Sequence, residues 1–198
     1  LLLSATVPMA LAGALLVAGS PPHDPSTGTR FEPYGYAVVN NHGAAIGYAE
    51  KWVGGVRPHG PLQYLGTFPV RWDALGTAVE LGVLGADEYG RSFAQTCDIN
   101  DAGTAVGWSE GSGAVRWDAS GTDAVELGGL GAGSRAYAIN NAGTVVGEAV
   151  KRIDGVSMGR FAVRWDVSGT DAVELSGIGP DNAGRSYASA VAVNDLGT

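Results

Sequence analysis

The chain is short of cysteine, of basic residues and of charge altogether. Its 198 residues include one cysteine, Cys97, which excludes an internal disulfide framework and any cysteine-built zinc site. The three histidines, His23, His42 and His59, show no metal-ligand spacing, so no metal or other cofactor is expected. Lysine and arginine number 12 against 20 acidic residues, for a net charge of -8. A nucleic-acid module needs a basic face to displace phosphate counterions, and these cations are too few to build one. Only 16% of residues are charged while 45% are hydrophobic, the opposite of a disordered chain. Helical periodicity is missing from every window after the first twenty residues. What the sequence has in excess is glycine, with 32 residues against a usual share of about 7%.

Residues 1–20 carry no charge and are mostly Leu, Ala, Val and Gly, and Pro21, Pro22, His23, Asp24 and Pro25 follow. An apolar run ending in small residues before a Pro-rich polar stretch reads as a secretory signal, cleaved near Ala18 to Ser20. The competing readings are a transmembrane anchor or a buried helix, and Pro8 with the many Ala and Gly residues argues against the anchor. The expected organisation is a signal peptide at 1–20, a linker at 21–30 and a single domain at 31–198, with no membrane insertion once the signal is removed.

Self-similarity dominates the rest of the chain. Asn40-Asn41-His42-Gly43, Asn100-Asp101-Ala102-Gly103, Asn140-Asn141-Ala142-Gly143 and Asn194-Asp195-Leu196-Gly197 align without a gap, each after a β-branched residue. A second block occurs as Val70-Arg71-Trp72-Asp73, Val115-Arg116-Trp117-Asp118 and Val163-Arg164-Trp165-Asp166. A third follows as Val79-Glu80-Leu81, Val125-Glu126-Leu127 and Val173-Glu174-Leu175. The tryptophans are 45 and 48 residues apart, and the Asn turns 60, 40 and 54 apart, so the blocks keep their order while the loops vary.

Each repeat reads as four short strands. In the third, Arg135 to Asn140 is the first and Thr144 to Ala149 the second, joined by a tight turn. The Asn side chain there accepts from the backbone and Gly supplies a positive φ. Ala162 to Asp166 is the third strand and Val173-Glu174-Leu175 begins the fourth. Alternation places Val163 and Trp165 on one face, with Arg164 and Asp166 on the other. The expected fold is all-β, a repeat of four-stranded antiparallel units. A period of 40–50 residues with four strands is that of a β-propeller, here about three and a half blades and cut off inside the last hairpin. A β-solenoid is the alternative.

The run from Ala136 to Gly147, with Ala162-Val163-Arg164-Trp165-Asp166 and Val173-Glu174-Leu175, resembles the bacterial HAF-family extracellular repeat. The resemblance covers nearly all of residues 34–198, apart from an insertion between Glu50 and Pro69. It implies a secreted or surface-exposed bacterial protein with a propeller-like sheet array, and it transfers no catalytic residue to any position.

Residues that recur in every unit read as fold-makers. Glu80, Glu126 and Glu174 recur once per unit, which points to a solvated strand face rather than to a carboxylate pair with divided roles. Arg71 with Asp73, and their counterparts, suit a same-face ion pair or a hydrogen bond between units. Asp98, Asn100 and Asp101 alternate like a calcium loop, but the template is longer and the third repeat lacks the carboxylates, so a turn is expected. Cys97 aligns with Ala37, Tyr137 and Val191 and reads as a buried thiol.

The residues that break the symmetry are aromatic: Trp52 and Tyr64 in the first insertion, and Trp108 on a second strand. Exposed aromatics on a rigid sheet bind sugar rings or partner surfaces, and these three are the candidate ligand-binding residues. Trp52 and Tyr64 alternatively pack the long loop onto the sheet. The function expected is a non-enzymatic, exported repeat module at the cell surface, structural or binding a glycan or protein. Self-association through open sheet edges is a further expectation. The competing expectation is an extracellular carbohydrate-active enzyme with its site incomplete in this stretch of chain.

Overall fold

The computed structural model describes residues 30–54, 62–167, 169–177, 179, 181–182 and 184–197, with side chains from residue 37 onwards. The signal-like segment, the linker up to residue 29, His23 and His59 lie outside the described residues. Every regular element among the described residues is a β-strand. No helix among them is long and apolar enough to cross a membrane.

The first four strands are β1 (Arg30–Val39), β2 (Ala45–Val53), β3 (Gln63–Trp72) and β4 (Ala78–Glu80). A second set comprises β5 (Ser92–Ile99), β6 (Ala105–Ser109), β7 (Gly113–Trp117) and β8 (Ala124–Glu126). The third is β9 (Gly131–Ile139), β10 (Val145–Ile153), β11 (Val156–Trp165) and β12 (Val173–Glu174), followed by the short β13 (Ser186–Tyr187). Within each set the strands pair antiparallel in sequence order. Two-residue parallel bridges, Gly66–Ser92 with Thr67–Phe93 and Gly159–Ser186 with Arg160–Tyr187, join β3 to β5 and β11 to β13. The first bridge merges β1–β8 into one eight-stranded sheet, and the second leaves β9–β13 as a five-stranded one.

The three units stack face to face, which follows from the strand alternation. Ile46 and Ala45 are neighbours on β2, yet Ile46 packs with Ile99, Val115 and Trp117 of the second unit. Ala45 joins a separate cluster with Val70 and Trp72. The second interface copies the first, with Val106, Ala114 and Leu127 against Ile139, Val145, Val163 and Trp165. Residues i and i+1 of a strand point to opposite faces, so each central strand contributes to the cores on both sides.

Polar contacts between units repeat as well. Trp117 Nε1 donates to the Gly82 carbonyl at 2.8 Å, and Trp165 Nε1 to that of Gly128 at 2.8 Å. Arg71 reaches the other way, donating to the carbonyls of Gly103, Asp118 and Gly121. Arg116 donates to the Val167 carbonyl and pairs with Asp118, while Arg164 lies 3.1 Å from Asp166. Both expected roles of this arginine are present, the inter-unit one in the first two units.

The Asn-x-x-Gly turns form as expected and also do more. Asn40 Oδ1 accepts from the amides of His42 and Ala44, and Asn100 and Asn140 accept from Thr104 and Thr144. Gly43, Gly103, Gly143 and Gly197 all have φ between 80° and 89°. The amide groups then join one turn to the next. Asn40 donates to the Asn100 carbonyl, Asn100 to that of Asn140, and Asn140 to that of Asn194, at 2.9, 3.2 and 2.9 Å. Asp101 accepts from both Asn41 and Asn141, and the hydrogen bonds from Asn41 hold its carboxyl below the usual range. The four turns thereby surround one shallow concavity of about 400 Å³.

Two features differ from the sequence reading. The second and third strands of the third unit run on to Ile153 and back from Val156, because Asp154 and Gly155 (φ 50° and 79°) make a tight hairpin turn between them. The slot holding Cys97 and Tyr137 is a β-bulge rather than a plain strand position. Thr96 and Asp98 pair with consecutive residues Gly107 and Val106, leaving Cys97 extra, and Tyr137 is skipped in the same way.

Candidate functional site

One concavity follows from a difference in hairpin length. The β2–β3 and β10–β11 hairpins run nine or ten residues per strand, whereas β6 and β7 have five each. The second unit therefore stops short between two taller neighbours. A cleft of about 920 Å³ opens around its tip, lined among others by Phe93, Trp108, Glu126, Arg135, Glu148 and Arg160. Glycines at 111, 113, 129, 131 and 133 line it too, so few side chains obstruct its floor.

Trp108 pairs with Ala114 across β6 and β7, and Ala114 belongs to the core against the third unit. Directly paired residues share a face, so the indole is turned toward the third unit. The Arg135 guanidinium lies over it at 5.0 Å from the ring centroid. A cation against an aromatic face is favourable and holds the ring in one orientation. Glu148, on the matching position of β10, is only 7% exposed. It accepts from Ser189 and lies 3.5 Å from Arg160 Nη1. Burial raises the pKa of the Tyr137 hydroxyl, and its bond to Glu148 adds to the shift, while Arg135 opposes it.

The other two predicted residues sit beside the cleft and do not line it. Trp52 and Tyr64 are paired across β2 and β3, with ring centroids 4.8 Å apart. Tyr64 in turn lies 6.2 Å from Phe93, which forms part of the cleft wall. Trp52 packs on Tyr64, and Tyr64 joins the long first hairpin to the cleft wall of the second unit. The Trp52 indole N–H is buried without an acceptor among the described residues.

The recurring carboxylates separate in the structure. Glu80 pairs with Lys51 at 2.9 Å and Glu174 with Lys151 at 2.7 Å, while Glu126 has no cation within ion-pair distance among the described residues and lines the cleft. Asp98 accepts from the amides of Ile99 and Ile139 and ties the first strand of one unit to that of the next. Burial raises its pKa against those two bonds. Asp98 and Asp101 thus serve backbone amides and their neighbours, and no group of three or more His, Cys, Asp or Glu side chains among the described residues could hold a metal ion.

Cys97 lies half-buried in its bulge, where the sequence suggested a buried thiol. Burial pushes its thiol up to about 11, with Arg135 opposing and Asp98 adding to the rise. The thiolate is the reactive form, so the folded chain is expected to react with a disulfide reagent at pH 8 at least ~100-fold more slowly than the unfolded chain, whose thiol ionises near ~8.5. Stopped-flow labelling with and without denaturant measures this, and equal rates would contradict the burial.

Sequence reasoning singled out Trp108 by its broken symmetry, and the structure places it on the cleft; it did not single out Arg135 or Glu148, nor that Glu126 has no cation partner among the described residues. A signal was available. The distance from the turn Asn to the Trp is 32, 17 and 25 residues in the three units, so the second hairpin had to be the shortest. No family model fits the sequence, and no curated protein aligns with it significantly.

Proposed function

We propose that the chain is a non-enzymatic, exported binding module of propeller-like architecture whose cleft between the second and third units takes a glycan. The observation that carries this reading is the cleft itself: an indole oriented by Arg135 stands beside carboxylates and open glycine backbone in a space of about 920 Å³. Sugar sites are concave, with an aromatic platform for the apolar ring face and a few polar groups for the hydroxyls. Face-to-face stacking of four-stranded meanders, with their first turns gathered around one concavity, supports the propeller-like arrangement over a solenoid. The uncharged, apolar residues 1–20 and the resemblance to HAF repeats support export to the bacterial cell surface.

A carbohydrate-active enzyme is the second reading, and one observation favours it. Glu126 is exposed and Glu148 buried in the same cleft, the unlike settings that divide acid and base roles. Against it, Ser189 and Arg160 already engage the Glu148 carboxylate.

Titration calorimetry against a panel of oligosaccharides tests the choice, with reducing ends measured in parallel. Saturable binding without new reducing ends is expected. Trp108→Ala should weaken it at least about tenfold, equivalent to about 1.4 kcal/mol. Binding unchanged by Trp108→Ala, or no binding to any member of the panel, would reject the site. Product release abolished by Glu148→Gln would establish the enzyme instead.

A further inference from the structure

We infer that the cleft recognises a ligand carrying a primary ammonium group, held at Glu126. This rests on the cleft being a ligand site, as proposed above, and goes further by naming the chemistry the ligand must present.

The argument comes from what the first and third units do with the same carboxylate. In the first, Lys51 Nζ lies 2.9 and 3.0 Å from the two oxygens of Glu80 and 4.7 Å from the centroid of the Phe68 ring. In the third, Lys151 Nζ lies 2.7 Å from Glu174 and 5.1 Å from the Phe161 ring. Both units therefore place an ammonium between a carboxylate and an aromatic face, two attractions that act on the same charge. The residues come from matching places: the lysine four positions after the glycine of the second strand, the phenylalanine four before the tryptophan, and the glutamate on the fourth strand opposite Val70 or Val163.

The second unit keeps one of the three. Glu126 stands opposite Val115, as its counterparts stand opposite Val70 and Val163. The lysine position is Gly111, in the turn, and the phenylalanine position is Gly113, paired with Ser109. With both large side chains absent from this shorter hairpin, the carboxylate on the cleft wall has no cation within ion-pair distance among the described residues. Two guanidinium groups line the same space, but Arg135 lies over Trp108 and Arg160 faces Glu148. Glu110, on the tip of the hairpin, adds a second exposed acidic group. A ligand ammonium can thus take at Glu126 the place that a lysine of the chain takes in the neighbouring units, with Trp108 as the aromatic group on the same cleft. Amino sugars and lysine side chains both present this group, so the test uses one probe of each kind.

Calorimetry at mildly acidic pH and low salt compares glucosamine oligomers with N-acetylglucosamine oligomers of equal length, since acetylation removes the charge and keeps the ring. Chemical-shift titration compares Nα-acetyl-lysine amide with its Nε-acetylated form. At least tenfold tighter binding of the amino form is expected for each probe that binds. Glu126→Gln should abolish the preference, so that the amino and acetylated forms bind alike. Glu126 is exposed, so the variant should keep its strand circular dichroism. Equal binding of amino and acetylated sugars would overturn the inference and leave the glycan site standing. Failure of every sugar, with lysine amide bound in a Glu126-dependent way, would do the reverse. A preference that survives in Glu126→Gln, or no binding of either amino probe, would overturn the inference.

Discussion

Trp117→Ala is expected to destabilise the chain by about 4 kcal/mol or more, and Trp72→Ala by distinctly less. Deleting a large buried aromatic costs roughly 3–5 kcal/mol, because its transfer energy is lost and a cavity remains. Trp117 is 0% exposed, seated against Ile46, Leu81 and Ile99 in the interface between the first two units. Its loss also strips the Gly82 carbonyl of the indole donor at 2.8 Å, and an unsatisfied buried acceptor costs a further ~1–3 kcal/mol. Trp72 holds the matching place in the first unit, but it is 9% exposed and donates to no such carbonyl among the described residues. Among the described residues its cluster is the smaller one. Urea unfolding of the two variants gives the comparison. Equal losses would mean that the tryptophan stabilises its own sheet rather than the contact between units.

Gly147→Ala should be as damaging, by at least about 3 kcal/mol, although it adds a single methyl group. A Cβ at Gly147 would lie 1.9 Å from the carbonyl oxygen of Arg135 and 3.0 Å from Cα of Ala136, both backbone atoms that no rotamer change can move. The cause is the bulge at Tyr137, which brings the first strand onto the second at that point. Gly107 faces the carbonyl of Gln95 at the same 1.9 Å, opposite the bulge at Cys97. Forcing a group into a packed site typically costs ~1–3 kcal/mol, and more where backbone must yield. Gly133→Ala is the control. It has no heavy atom within 4 Å of an added Cβ and its φ is not positive, so it should be neutral or stabilise by roughly 0.4–1 kcal/mol. Thermal melts of both variants decide it, and a mild effect at Gly147 would mean the bulge can relax.

Much of this was legible because it is local. The Asn-x-x-Gly turns depend on one side chain bonding amides two and four residues on, and on one glycine of positive φ, so four residues suffice to read them. Val163 and Trp165 were assigned to a buried face by alternation alone, and both are fully buried. The full length of the β10–β11 hairpin does not follow from the repeat, because its signal, Asp154-Gly155, occurs in one unit only. The glycine of the second strand was visible in every unit without a reason. Its reason lies in the approach of another strand, which no short window contains.

The candidate site divides the same way. Trp108 could be named from sequence because it broke a pattern, while Trp52 and Tyr64 broke it too and pack against each other instead. Whether an aromatic side chain lines a cleft or fills a seam depends on how far neighbouring hairpins extend, and that is a relation between units.

The all-β class, the turns, the strand order and the apolar faces follow from local sequence, since each arises from contacts within a few residues or from period-two alternation. The rest comes from packing between units. Stacking set Trp117 on the Gly82 carbonyl, joined the turn amides in a ladder from Asn40 to Asn194, and left Glu126 without a cation partner among the described residues, on a cleft that exists because one hairpin is shorter than those on either side. Those outcomes depend on the distance between residues 35 or more positions apart, which packing of whole units fixes and local chain preference does not.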